Sequence, residues 1–255
     1  CVEAATGKVV WTRELAEEME SPKGWFGRAC APLVAGDVVM VQVGGRWQGK
    51  PAGVAAFRLE DGSVAWTAGE DEASYSSPVV IEAAAGPAAV FFTRRGVDLL
   101  DPGSGRVLVH EAFEPDIAAS VSACTPVAVG TDRFFLSGCY GLGAKVWEIG
   151  ERFALRTLWA RSDALDCHYG TPVFHDGHLY GFHGRQEEGQ ELRCVRAADG
   201  AVQWSARLPA GSLVIAGTSL VVLTEKGELI LAPATPDAFK PSARGQILAA
   251  TARAY

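Results

Sequence analysis

One segment of eleven residues recurs along this chain, and no other feature limits its possible folds as strongly. Cys1-Val2-Glu3-Ala4-Ala5-Thr6-Gly7-Lys8-Val9-Val10-Trp11 returns as Cys194-Val195-Arg196-Ala197-Ala198-Asp199-Gly200-Ala201-Val202-Gln203-Trp204. Ala56-Phe57-Arg58-Leu59-Glu60-Asp61-Gly62-Ser63-Val64-Ala65-Trp66 is a third copy, and residues 99–109 are a degenerate fourth. Gly7, Gly62, Gly105 and Gly200 each stand four residues before Trp11, Trp66, Val109 and Trp204. Trp159 reads as the same anchor in a copy that has lost its glycine. Self-similarity at a fixed period of this size is the mark of a chain built from stacked supersecondary units.

A second marker keeps step with the first. A small or polar pair, then Pro, then two apolar residues occurs at Pro32, Pro78, Pro126 and Pro172, at spacings of 46, 48 and 46. Gly211 to Ile215 is a copy without Pro. Each unit reads as four short strands. In the unit from Gly170, residues 171–174 form an apolar strand, and Asp176-Gly177 is a two-residue hairpin signal. Residues 178–183 and 191–197 follow as strands, Asp199-Gly200 is a second hairpin signal, and residues 201–206 complete the set. Four strands in one such period predict a β-propeller blade, so the expected fold is all-β. The blades fall near residues 28–69, 74–112, 120–161, 167–208 and 211–248, within one incomplete propeller domain over 1–255. Residues 1–14 read as the end of a preceding blade, and Leu15 and Met19 predict one helical turn in the connection that follows. The anchor tryptophans are expected to be apolar plates that pack one blade on the next. Helical crossovers, which a parallel sheet needs, are missing from the pattern.

Composition narrows the function. With 23 basic and 30 acidic side chains the net charge is −7, which argues against nucleic acid as a partner. Hydrophobic residues make up 48%, enough for a core, yet no apolar run approaches the length of a membrane span. The chain contains no Asn and therefore no N-glycosylation sequon. It also begins without Met or a signal region, so it is expected to be part of a longer protein.

The pattern Ala-x-x-Gly-x-x-x-Trp resembles the pyrroloquinoline-quinone (PQQ)-like propeller repeat. That family includes quinoprotein alcohol dehydrogenases and the lipoprotein of the bacterial outer-membrane barrel assembly machinery. Gly24-Trp25-Phe26-Gly27, Tyr75-Ser76-Ser77-Pro78, Gly138-Cys139-Tyr140-Gly141 and His168-Tyr169-Gly170 are similar, in their order, to bacterial PQQ-like repeat proteins of unassigned role. The resemblance implies an eight-bladed ring, of which this chain would be a fragment, and an extracytoplasmic, periplasmic setting. A dehydrogenase of the family would further need a Ca²⁺ held by carboxylate and Asn oxygens, a catalytic Asp and adjacent cysteines. This chain has no Asn and no Cys-Cys pair. PQQ is therefore not an expected cofactor, and the expected role is binding or scaffolding without catalysis. A quinoprotein-type oxidoreductase is the alternative. Partners would be a protein, a peptide or a small polar ligand.

Other chemistry finds little support. His175 and His178 flank the predicted hairpin turn and face each other, but His183 projects from the opposite face, so no three-ligand metal site is expected. The six cysteines contain no CxxC and are expected to be small buried thiols. Nucleophile-elbow and P-loop motifs are missing. A propeller's innermost strands line a channel, and the residues just before them form one mouth. This places Trp25, Arg28, Cys30, Tyr75, Ser76, Ser122, Cys124, His168 and Tyr169 in the expected ligand-facing set. The Ser and Thr residues before each Pro have a plainer expected use, which is to satisfy backbone groups where the strand starts.

Overall fold

The computed structural model describes residues 1–115, 117 and 120–250. Its strands form five four-stranded antiparallel sheets, each a meander in chain order. The chain divides into two compact units. One is Cys1–Glu114 with Gly150–Ala154, and the other is Pro115–Ile149 with Leu155–Tyr255.

The first unit holds two blades. One is built from β1 (Leu33–Ala35), β2 (Val38–Trp47), β3 (Lys50–Arg58) and β4 (Val64–Ala68). The next is β5 (Val79–Ala83), β6 (Gly86–Phe92), β7 (Gly96–Leu100) and β8 (Val107–Ala112). Val2 and Val9 form an antiparallel bridge ahead of them, and the expected helical turn is α1 (Leu15–Glu18). Met19, just after α1, is fully buried, and its carbonyl accepts from Arg46 N at 2.7 Å. That approach depends on Gly45, where a Cβ would sit 2.1 Å from Met19 O.

The second unit holds three blades: β9 (Val127–Ala128) to β12 (Leu155–Arg161), with β10 (Arg133–Gly138) and β11 (Gly143–Ile149) between them; β13 (Val173–His175), β14 (His178–His183), β15 (Glu191–Arg196) and β16 (Val202–Arg207); and β17 (Gly211–Ala216), β18 (Ser219–Thr224), β19 (Glu228–Pro233) and β20 (Ala243–Gln246). The Asp176-Gly177 turn has φ of +44° and +74°, the mirror-image turn that suits the twist of paired strands. It pairs His175 with His178 across the hairpin.

Burial alternates less than in a one-sided sheet, because the middle strands are covered on both faces. Every residue of β7 is buried, as are Phe134, Phe135, Leu136 and Trp147 in β10 and β11. Each such large apolar side chain contributes about 1.5–3 kcal/mol on leaving water. In the first unit Met40, Val54, Phe91 and Leu100 make one core shared by both blades. In the second, Tyr180, Leu192, Leu220 and Ile230 join the fourth and fifth blades in the same way.

The sequence repeat corresponds to one physical joint used again and again. The turn before the last strand closes with Gly62 N donating to Arg58 O, Gly105 N to Asp101 O and Gly200 N to Arg196 O, at 2.8–2.9 Å. Asp61 and Asp199 each accept a backbone N–H two residues on, and Asp101 accepts from Gly103 N and Ser104 N. The anchor Trp of one unit lies on the turn glycine of the next. A Cβ on Gly62 would meet Trp11 at 2.6 Å, one on Gly105 would meet Trp66 at 2.4 Å, and one on Gly200 would meet Trp159 at 3.0 Å. Each indole N–H also donates to the neighbouring turn: Trp11 to Leu59 O at 2.8 Å, Trp66 to Pro102 O at 3.2 Å and Trp159 to Ala197 O at 2.8 Å. Trp204 makes the equivalent bond to Thr235 O at 2.8 Å and packs on Phe239. Glycine is required at these turns twice over, by a φ near +72° and by the ring lying on it.

The Pro marker has a joint of its own. Ser77 Oγ accepts from Ala31 N at 3.0 Å, and Thr171 Oγ1 accepts from Thr125 N at 3.0 Å. The hydroxyl before one blade's Pro thus caps an otherwise free amide in the segment leading into the preceding blade. The plainer expectation for these hydroxyls therefore accounts for Ser77 and Thr171.

Candidate functional site

The residues expected at the channel mouth fall into two groups, one in each compact unit. In the first unit, Gly24 and Gly27 close a tight loop through a 3.0 Å backbone bond. Tyr75 pins this loop. Its hydroxyl accepts from Phe26 N at 3.0 Å, and the two rings meet edge to face at 5.9 Å. Gly24 passes so close that a Cβ there would lie 3.0 Å from the Tyr75 hydroxyl. With the loop held in this way, Trp25 stands 90% exposed and Phe26 63% exposed. Arg28 turns back instead and donates to Ser21 Oγ at 3.3 Å and to Ser21 O. Ser76 is buried, and its carbonyl accepts from the Gln42 amide at 2.9 Å. Cys30 is half-buried, with its thiol pKa raised by burial.

In the second unit His168 and Tyr169 come together as stacked rings 3.7 Å apart. His168 is buried, and its Nε2 is hydrogen-bonded to the Tyr140 hydroxyl at 2.8 Å. Burial lowers the imidazole pKa, which favours the neutral ring. Its Nδ1 has no hydrogen-bond partner, and the nearest carboxylate oxygen, on Glu187, is 3.9 Å away. Arg185 lies over the Tyr140 ring at 5.0 Å. Ser122 is fully buried with an unpartnered Oγ, and Cys124 is buried. An unsatisfied buried polar atom costs about 1–3 kcal/mol, so Ser122 and His168 mark places where an incoming polar group is favoured.

Tyr140, Arg185 and Asp166 were missed by sequence reasoning. Tyr140 and Arg185 lie 28 residues before and 17 residues after His168. The Cys167–Gly184 bridge draws Arg185 toward His168, and packing of one blade on the next brings in Tyr140. Asp166 stands two residues before His168, outside the expected mouth set, which contains no carboxylate. Burial pushes its carboxyl up to about 7, and its Oδ1 has no partner. Its own N–H donates to His183 Nδ1 at 3.0 Å, which requires that nitrogen to be unprotonated. Desolvation brings His183 down to about 4, in agreement. His183 is thus committed to the backbone, while His178 Nδ1 is taken by Asp176 O at 2.8 Å. Neither joins His175 in a three-ligand set. Beside the β14–β15 connection lies an open cleft of about 700 Å³ lined by Arg185, Arg193, Arg207, Glu188, Glu191 and Glu225.

These donors do not suit a Ca²⁺-bound quinone. Ca²⁺ takes six to eight oxygens, with several carboxylates converging. In neither unit do the residues expected at the mouth offer this: those of the first bring rings, hydroxyls and Arg28, and those of the second bring rings and hydroxyls beside one carboxyl, on Asp166, that burial biases toward its neutral form. Among the described residues, no helix is long and apolar enough to cross a membrane.

Comparison with known proteins agrees with this architecture. A search of curated protein sequences finds no match. Among solved structures, the chain is similar to BamB from Moraxella catarrhalis, with a TM-score of 0.68 at 14% identity, covering 96% of this chain and 66% of that one. It is also similar to the C-terminal WD40 domain of Sif2, with a TM-score of 0.57, 15% identity and coverage of 86% and 57%. A europium-containing methanol dehydrogenase matches with a TM-score of 0.55, 12% identity and coverage of 87% and 51%. The chain therefore spans between half and two thirds of these relatives, and at such identities the likeness is one of fold. The family model described as outer membrane protein assembly factor BamB matches residues 1–206. With that match lying over the Gly–Trp repeats and their joints, the chain belongs to the BamB/PQQ-like β-propeller repeat family.

Proposed function

We propose that this chain is a non-catalytic binding propeller that engages a protein segment through its inner loops, in an extracytoplasmic setting. The observation that carries this reading is the Gly24–Gly27 loop. A tryptophan and a phenylalanine are held out in water by a backbone bridge and a dedicated Tyr75 clamp. Exposed aromatics on a pre-ordered loop lose little entropy on binding and are the residue types that dominate protein interfaces. The acidic net charge and the assembly-factor description of the family favour a protein partner over nucleic acid.

A peptide library displayed on phage and selected on the immobilised chain tests the proposal. Selected peptides should bind in calorimetry and weaken at least tenfold on Trp25→Ala or Phe26→Ala, with folding unchanged. Peptides indifferent to both changes would overturn it. So would stoichiometric binding of the quinone with Ca²⁺ accompanied by alcohol oxidation.

A further inference from the structure

A different set of residues gathers in the second blade of the first unit. β7 is buried along its whole length, yet its central residue is Asp98, whose side chain is only 6% exposed between Val97 and Leu99. Directly opposite it in the β7–β8 register is His110. The loop after β4 brings Asp71 to the same point. That loop lies hard against β3, where a Cβ on Gly53 would be 3.1 Å from Asp71 O. Thr93, at the β6–β7 turn, donates from its hydroxyl to Asp71 Oδ2 at 2.7 Å and fixes the carboxylate's orientation.

We propose that Asp71, Asp98 and His110 form a binding site for one divalent transition cation of the zinc class. His110 Nδ1 lies 2.7 Å from Asp98 Oδ1 and 4.0 Å from Asp71 Oδ2, and the three donor atoms are all within 4.8 Å of one another. A tetrahedral ion with bonds near 2.0–2.2 Å needs donors roughly 3.3 Å apart, so shifts of about 1 Å would complete the set. Two carboxylate oxygens and one imidazole nitrogen suit zinc and its first-row neighbours, whereas Ca²⁺ would want more oxygens. Three protein ligands also leave a fourth position for water. His110 is about half exposed, so an ion has a way in.

Charge favours the same conclusion, because one carboxylate from buried β7 and one from the loop after β4 converge on a single imidazole. The Thr93 hydroxyl on Asp71 is the outer-sphere bond that orients a ligating carboxylate.

The test is a calorimetric titration of the chelator-stripped full chain with Zn²⁺. One ion per chain should bind. His110→Ala and Asp98→Asn should each weaken binding at least a hundredfold, and Thr93→Val about tenfold. His178→Ala, at the exposed hairpin, should leave it unchanged. Asp98 is buried, so circular dichroism must show that the variant is folded. If it is not, the partly exposed His110→Ala decides. Absence of binding below millimolar Zn²⁺, or binding that survives His110→Ala and falls with His178→Ala, overturns the site.

Discussion

Replacing Gly105 by Ala should be among the more damaging single-methyl changes available in this chain. The new Cβ would lie 2.4 Å from Trp66 Cε3 and 2.5 Å from Cδ2, so the indole would have to retreat by about 1 Å. Its 3.2 Å bond to Pro102 O is already long and would be lost. A left-handed backbone costs a non-glycine residue about 1–2 kcal/mol, overpacking about 1–3, and the lost bond about 0.5–1.5. The stiffer unfolded chain returns about 0.4–1 kcal/mol. The net loss is about 1.5–6 kcal/mol. Gly177→Ala is the matched control, because its φ of +74° is nearly that of Gly105 but nothing lies within 4 Å of the new Cβ. It should cost only about 1 kcal/mol. Urea unfolding followed by circular dichroism would measure both. At roughly 2–4 °C per kcal/mol, the two melting temperatures should differ by several degrees. In a Trp66→Val background the gap should close, since there is then no ring to displace. Equal losses for Gly105→Ala and Gly177→Ala, or additivity with Trp66→Val within about 0.5 kcal/mol, would refute the joint as described.

The Asp166–His183 pair makes opposing contributions to acid stability. Asp166, raised to about 7, holds a proton when folded that the unfolded chain has released, so its contribution strengthens as pH falls from about 7 to about 4. His183, lowered to about 4, lacks a proton that the unfolded chain holds, so its contribution weakens from about 6.5 downward. Asp166→Asn should therefore make the urea midpoint fall more steeply with acid than in the wild type, and an unchanged slope would refute the assignment. Native thiol titration with Ellman's reagent should label Cys1 first and Cys30 slowly, with Cys124, Cys139, Cys167 and Cys194 silent until unfolding. Burial that pushes Cys139 up to about 12 and Cys194 up to about 11 gives the same order, and a fast third thiol would contradict it. Thr171→Val keeps the shape but orphans the Thr125 amide, and should cost about 1–2 kcal/mol in the same urea assay.

Most of the fold was legible in the sequence because its constraints are local. A glycine that must take positive φ, an Asp that caps the turn and a Trp four residues on are all visible in one short window. Even the degenerate copies follow this logic. The turn at Gly150–Ala154 lacks the usual glycine and instead places Arg152 and Phe153 at positive φ. The sites were less legible because they are assembled by register. Nothing in the spacing of 71, 98 and 110 announces a cluster. The one hint was an Asp at the centre of the apolar run Gly96-Val97-Asp98-Leu99-Leu100, a charge that a buried strand does not carry without a partner. Likewise His168 and Tyr169 could be picked out before their inner strand, but Tyr140 sat in a glycine-rich loop whose nearer explanation was a turn. Asp166 drew no attention, because an exposed loop carboxylate looks the same in sequence as a buried one.

The hydroxyl caps on Ala31 and Thr125 also give the molecule a built-in gauge of blade separation. Neither amide belongs to a strand ladder, so fraying of a single sheet need not free it. Each is covered only by a side chain from the neighbouring blade. In deuterated water their exchange should be slow, and its rate should report how often adjacent blades part, not how often either one unravels.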